Sequence, residues 1–520
     1  MRLPSTALRA SVALAGLLPI VACATSPASP SRAASAFAAP APGAPGLGDP
    51  LYPMLGNGGY EVARYELDLA WDPETGELTG TATLDANAER ALTTFNLDLH
   101  GLAVEGVAVD GVPAAFQRES DELVVAPVAP LAAGAGFEVV VRYGGVPEAI
   151  EDPAVPVSTG LGWIRHEDEV YVVSEPSGAS SFYPVNDHPL DKATYAVRVT
   201  VPEPWVVASN GTLEGVDQLD GSRRYRWSSR DPLASYLVTI CIADFELVEG
   251  EGPGGLPLRH YLPRGSAAEH ANVIEETGRM LAHFEELFGP YPFESYGGIV
   301  ASLPMGAALE TQTIPVYGGR AFQTPVVAHE LAHQWFGNSV GFSRWSEIWL
   351  AEGFASYAEW LWTLESKGRE AFDAERATSY SFLRKREVGP PADVVAEDLF
   401  GGEVYVRGPW VLAALHESVG DDTFFGILRA WVERHAYGHG TTDEFVALAV
   451  DLGGADVEPL LRSWLFDPVV PDRPDMLEIA ARIEEEMAAA RAARKAAREA
   501  ERAAAAEAAE AAAGAGDDGR

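Results

Sequence analysis

Cysteine is almost missing from this chain: two occur in 520 residues, Cys23 and Cys241. That is too few for a disulfide framework or a thiolate metal site, so any metal chemistry must use histidine and carboxylates. Positive charge is also short, with 37 Lys plus Arg against 76 Asp plus Glu and a net charge of −39. A chain this acidic repels phosphate backbones and anionic headgroups, which argues against nucleic-acid binding and electrostatic membrane docking. The apolar run Ala10 to Ala22 falls short of the ~20 residues that a bilayer-spanning helix needs. What is present is ample apolar material, 47% of residues against 22% charged, enough for a large core and for two to four domains.

The amino terminus reads as an export signal, with Arg2 and Arg9 ahead of the apolar run. It ends Ile20-Val21-Ala22-Cys23, which resembles the bacterial lipobox, in which the cysteine becomes the lipidated first residue. Ala22-Cys23-Ala24 is equally a small-x-small site for ordinary cleavage. The expectation is an exported protein, held on the extracytoplasmic side of a membrane through Cys23 or else secreted or periplasmic. Residues 1–23 are then the signal and 24–50, rich in Ala and Pro, an extended tether. Cys241 lies in an apolar stretch and reads as core.

Period-two patterns follow: Tyr65, Leu67, Leu69 and Trp71 alternate with Glu66, Asp68 and Ala70, and Val197, Val199 and Val201 with Arg198 and Thr200. They predict a strand-rich domain over 51–250. Gly252-Pro253-Gly254-Gly255 reads as a boundary, after which helical spacing takes over, with Ser266 and Glu269 as a capping box. Helices are expected across 251–470. In 471–520 Ala, Glu and Arg repeats take over, with Ile479, Ile483 and Met487 as the last large apolar residues at helical spacing, which predicts a solvated helix or frayed tail.

The sharpest signal is His329-Glu330-Leu331-Ala332-His333. Thr324 can cap a helix there and Pro325 suits its first position. On such a helix the two histidines lie one turn apart on one face, so both imidazoles reach one zinc ion while Glu330 approaches an activated water as general base. His435 and His439 share the spacing, but Gly438 and Gly440 make a turn there rather than a helix. The next helix, predicted from Glu347 to about Lys367, carries Trp349-Leu350-Ala351-Glu352-Gly353-Phe354-Ala355, and Glu352 follows His333 with 18 residues between. A short link can fold that helix back and set a carboxylate beside the imidazoles. A His, His, Glu set leaves a position for water.

Zinc motif, 18-residue gap and WLxEGFA-like stretch together resemble the gluzincin aminopeptidases of family M1, and the likeness runs over roughly residues 60–467. The resemblance implies a multidomain fold, with an N-terminal antiparallel, β-sandwich-like domain and then a thermolysin-like, mainly α-helical zinc metallopeptidase domain, in a compact form. It implies one Zn2+ ion on His329, His333 and Glu352, with Glu330 as base and peptides as substrates. Ala307-Ala308-Leu309-Glu310-Thr311 stands where the family has its GAMEN motif, so Glu310 is expected to bind the substrate's ammonium and the backbone at Ala307 the peptide, with Ala, Leu and Thr replacing Gly, Met and Asn. Glu175 matches a second ammonium ligand, ahead of a stretch in which Ser180 replaces the usual Arg. Tyr405-Val406-Arg407-Gly408 is similar to the family's Y-x-K-G stretch, whose tyrosine donates to the oxyanion.

The reading is a zinc aminopeptidase. A zinc endopeptidase or epoxide hydrolase on the same site, or a catalytically silent peptide-binding lipoprotein, are the competing readings.

Overall fold

The computed structural model describes residues 39–155, 157, 159–303 and 306–514. Cys23, the signal and most of the expected tether lie outside the described residues.

The alternating segments form strands. Tyr60–Trp71 pairs antiparallel with Leu78–Ala88, and Tyr65, Leu67, Leu69 and Trp71 all face the core. Both belong to a sheet of eleven strands that makes up most of the first domain. Its strand Ala193–Pro202 joins Tyr60–Trp71 in parallel, with Tyr195 opposite Tyr65 and Val197 opposite Leu67. The expected antiparallel domain is therefore mixed, because a parallel partner requires a crossover and the intervening chain supplies it. Part of that crossover, Gly162–His166 and Glu169–Val173, enters a second sheet of four strands with Ile240–Ala243 and Val206–Ser209. Cys241 is buried there as a free thiol.

The tether expected over residues 24–50 is not extended at its end. Asp49 is only 3% exposed. Its Oδ1 accepts from the backbone N–H of Leu51 (2.8 Å) and its Oδ2 from that of Trp345 (2.9 Å), beside His188 Nε2 at 3.4 Å. One carboxylate thus ties this segment to both halves of the molecule, and low local sequence complexity did not reveal it.

The boundary expected at 250/251 falls inside a hairpin. Phe245–Glu251 and Pro257–Pro263 pair antiparallel from Phe245 opposite Pro263 to Glu251 opposite Pro257. Gly252 to Gly255 is the turn between them, with Gly254 and Gly255 at positive φ. The pair continues through Tyr296–Val300 and Val316–Tyr317 to the edge strand Ala308–Leu309.

Nine α-helices are present among the described residues: α1 Ala267–Phe288, α2 Thr324–Ala332, α3 Trp349–Lys367, α4 Arg369–Arg386, α5 Gly408–Val419, α6 Asp421–His435, α7 Thr442–Gly453, α8 Val457–Phe466 and α9 Pro474–Gly514. Two expected caps are absent. The Ser266 hydroxyl donates to the Pro263 carbonyl instead, and α2 begins at Thr324 itself, whose hydroxyl donates to Glu276 on α1 (2.7 Å). The capping box that does form is Thr441 with Glu444 on α7. His435 closes α6 and His439 sits past a turn, bonded to the Pro189 carbonyl, so this pair shares no ligand site. The solvated helix expected at the carboxyl end is α9: Met476 and Ala480 bury against the body, and from Arg491 onward the helix is exposed as far as its side chains are described.

Candidate metal centre

α2 presents His329 and α3 presents Glu352, and the short link between the helices folds back as expected. His329 Nδ1 donates to Glu359 Oε1 at 2.7 Å, and His333 Nδ1 donates to the Phe336 carbonyl at 3.1 Å. Those partners fix both tautomers and leave each Nε2 a bare lone pair. The two lone pairs point at the same atom, Glu352 Oε2, from 3.0 Å and 3.3 Å. With both rings neutral, three acceptors face one another, so a proton or a cation must lie between them, and such a donor set fits a divalent cation of zinc's preferences. Burial disfavours charge on His329, but bonds to Glu352 and Glu359 outweigh it and hold the imidazole well above its usual range. Burial likewise opposes ionisation of Glu352, yet the imidazoles keep its carboxyl far below the ordinary value. The spot attracts positive charge.

Glu330 follows His329 on the same helix and is 5% exposed. Burial pushes its carboxyl up to about 8 against the pull of the two imidazoles. Such a carboxyl accepts and returns a proton readily near neutral pH.

Tyr405 lies in a π-helical turn, Glu403–Arg407, directly before α5. Its ring stacks near His329 with centroids 6.0 Å apart. Burial and the charges of Glu352, Glu175, Glu310 and Glu330 raise the phenol well above its usual range, so it stays a donor. Arg407, in the place of the family's lysine, points away. Fully buried, it donates to the carbonyls of Trp464 (2.9 Å), Val388 (3.3 Å), Ser463 (3.2 Å) and Asp467 (2.6 Å) and clamps the end of α8.

Glu310 leaves the edge strand Ala308–Leu309 and Glu175 leaves Glu169–Val173, and they meet beside His329, His333 and Glu352. Carboxylate oxygens of Glu175, Glu310 and Glu352 lie within 4.8 Å of one another. Glu310 is 2% exposed and Glu175 8%, and Oε1 of each has no hydrogen-bond partner among the described residues. Burial and the neighbouring carboxylates raise Glu175 well above its usual range, and burial raises Glu310 as well. Two buried carboxyls with free oxygens are costly unless a cation completes them. Ala307 and Leu309 line a cavity of about 380 Å³ that also takes in Glu175, Val173, Phe400 and Tyr405. Most of its wall is aliphatic.

Several supporting residues carried no signal legible in the sequence. Gln334 Nε2 and Asn338 Nδ2 hold the Glu310 carbonyl at 3.2 Å and 2.7 Å, which locks the loop bearing Glu310 to the end of α2. Ser180, in place of the expected Arg, is braced by Asp187, which accepts from the Ser180 N–H (3.3 Å) and the Ser235 hydroxyl (2.7 Å). Glu359 sits seven residues after Glu352 on α3, a two-turn spacing that could have marked it.

Residues 61–237 match the peptidase M1 N-terminal domain and residues 274–464 the peptidase family M1 domain. Among solved structures, a two-domain M1 zinc metallopeptidase variant bound to L-tryptophan aligns with TM-score 0.78 and 32% identity, covering 82% of this chain and 99% of that one. A variant of the M1 zinc metallopeptidase of Deinococcus radiodurans bound to a Tyr-Ser-Ala substrate aligns with TM-score 0.76 and 32% identity, covering 82% and 99%. Aminopeptidase M1 of Arabidopsis thaliana is 26% identical over 77% of this chain and 49% of its own length. The chain spans 36% to 49% of the length of the first curated relatives it matches.

Proposed function

Because this chain belongs to peptidase family M1 and is a zinc metallopeptidase, we propose that it is an aminopeptidase that releases the first residue of a peptide. The observation carrying this reading is the pair Glu175 and Glu310, two buried carboxylates with unpartnered oxygens next to the three-acceptor centre. They select a free N-terminus by a charge-assisted contact that an internal peptide group cannot supply.

His329, His333 and Glu352 would hold one zinc ion. When bound, zinc supplies Lewis acidity toward a carbonyl and acidifies water toward pKa ~7. Glu175 and Glu310 fix the ammonium, which sets the first peptide bond at the centre and removes its freedom to misalign. Glu330 takes the proton of the attacking water and delivers it to the departing amine nitrogen. The Tyr405 hydroxyl donates to the carbonyl oxygen as it gains charge. With the ammonium at Glu175 and the carbonyl near Tyr405, the first side chain enters the aliphatic cavity that those two residues flank. The lipobox-like end of the apolar run supports an exported enzyme anchored through Cys23.

The test compares a free-amine peptide with its N-acetylated twin, each with chelator and with zinc restored. Chelator-sensitive release of the first residue from the free peptide alone is the expected result. Equal cleavage of both peptides would point to an endopeptidase, and zinc binding with no cleavage to a binding protein.

A further inference from the structure

The cleft does not end at the cavity for the first side chain. Tyr405 lines that cavity on one side and, on the other, an open trough of about 570 Å³ between α3 and α4, walled by Glu359, Trp360, Glu375, Thr378 and Phe382. Thr378 and Phe382 in turn line a groove of about 540 Å³ between α4 and α9, whose far wall is Ile483, Met487 and Arg491. From Arg491 the exposed part of α9 carries Arg494, Lys495, Arg498 and Arg502. At 3.6 residues per turn these five cations fall within an arc of about 100°. Ala493, Ala496 and Ala500 occupy the opposite side. Glu499 borders this face and pairs with Lys495 at 4.0 Å, which leaves Arg491, Arg494, Arg498 and Arg502 as the cations that a chain of net charge −39 gathers on one side of one helix, at the end of a path that begins at the metal centre.

We propose that the trough and groove carry the part of a peptide downstream of the cleaved bond, and that the basic face of α9 holds negative charge on that part, whether acidic side chains or the terminal carboxylate. The proposal rests on the aminopeptidase reading. That reading pins the ammonium at Glu175 and Glu310, on the near side of Tyr405, so the remainder of the peptide leaves on the far side, into the trough. Crossing α4 covers about 10 Å, or roughly three residues of extended chain at ~3.3 Å each. Negative charge therefore meets Arg491 from about the fifth or sixth residue on. The peptide's own polarity matches the path: its positive end lies among carboxylates and its negative end among arginines. These contacts are solvent-exposed, so they act through KM and weaken with salt.

The experiment uses the full chain with zinc bound and three substrates: leucine p-nitroanilide, and two octapeptides that share their first four residues and end in either three glutamates or three lysine residues with an amidated terminus. The expected result is a KM about tenfold lower for the glutamate tail, with the difference lost in 0.5 M salt and in the variant Arg491→Glu, Arg494→Glu, Arg498→Glu. Equal KM values for the two tails, with the nitroanilide still cleaved, overturn the proposal alone. No cleavage of the nitroanilide overturns the aminopeptidase reading. Equal tails together with wild-type binding to vesicles containing phosphatidylglycerol, lost in the variant, overturn it in favour of a membrane surface as the partner of the basic face.

Discussion

Gly353 and Gly408 meet backbone to backbone: a β-carbon added to Gly408 would lie 2.9 Å from the Gly353 Cα, and one added to Gly353 would lie 3.1 Å from the Gly408 backbone. The contact joins the helix of Glu352 to the start of α5, right after the π-helical turn that holds Tyr405. Gly408→Ala should push that turn away from the metal centre. We expect kcat to fall at least tenfold with zinc content retained, and stability to drop by about 1–3 kcal/mol as in other overpacked cores. Steady-state kinetics and a urea titration check both.

Tyr405→Phe keeps the ring against His329 and removes only the donor. Loss of one oxyanion donor typically costs ~10²–10³ in kcat. KM and zinc stoichiometry should stay at wild-type values, and a kcat within threefold of wild type would remove Tyr405 from the mechanism.

Glu359 touches the candidate metal centre through His329, by the bond to Nδ1 at 2.7 Å. Glu359→Ala should weaken zinc binding by about 10–100-fold, as for other outer partners of ligating histidines. A competition titration against a zinc-buffering dye reads this without reference to catalysis, and Glu359→Gln should fall between the two.

The aliphatic wall of the cavity proposed for the first side chain, with Val173, Leu309 and Phe400, predicts that leucine and phenylalanine p-nitroanilides outperform the lysine compound by at least tenfold in kcat/KM. With Glu175 taken by the substrate's own amino terminus, a second ammonium buried against the aliphatic remainder of the wall lacks a partner. The chain's overall negative charge predicts the reverse order, so one substrate panel decides between local and global electrostatics.

His260 is 1% exposed, and neither ring nitrogen has a hydrogen-bond partner among the described residues. Burial pushes its pKa down to about 4 from 6.5. Between those values the unfolded chain binds the extra proton, so stability contributed by the neutral ring is complete above about pH 6.5 and is lost as pH falls toward 4, by roughly 3 kcal/mol at most. Buried Asp191 and Glu122, each raised to about 7 chiefly by burial, pull the other way over the same range. The signal is therefore the difference curve: His260→Leu should lose stability less steeply than wild type below pH 6.5 in urea titrations. Parallel curves would contradict a buried neutral ring.

Much of the metal centre was legible because its geometry is local. His329 and His333 lie one turn apart on one side, Glu330 is next in sequence to His329, and a fixed gap brings Glu352 to the same place. Glu175 and Glu310 could be named only through family resemblance, since they come from different sheets and nothing in their own neighbourhoods marks them. Gln334 and Asn338 were invisible, because a side chain bonding a distant carbonyl leaves no periodic trace. The strands Tyr60–Trp71 and Ala193–Pro202 were readable from alternation, whereas their parallel pairing across 130 positions was not. Asp49 was misread for a different reason: composition reports what a segment cannot bury, and one carboxylate with three backbone donors needs no apolar neighbours.

The hairpin of Phe245–Glu251 and Pro257–Pro263 has a practical consequence. It lies between the two family matches, at 61–237 and 274–464, and belongs wholly to neither. Cutting the chain at residue 250 would strip an edge strand from the sheet that ends in Leu309 and expose a row of unpaired amides on the remainder. Chimeras that exchange the first half with a relative should therefore cross over before Phe245, so that both strands come from one parent. Splitting them would ask two diverged sequences to agree on a register that they were not selected together to share.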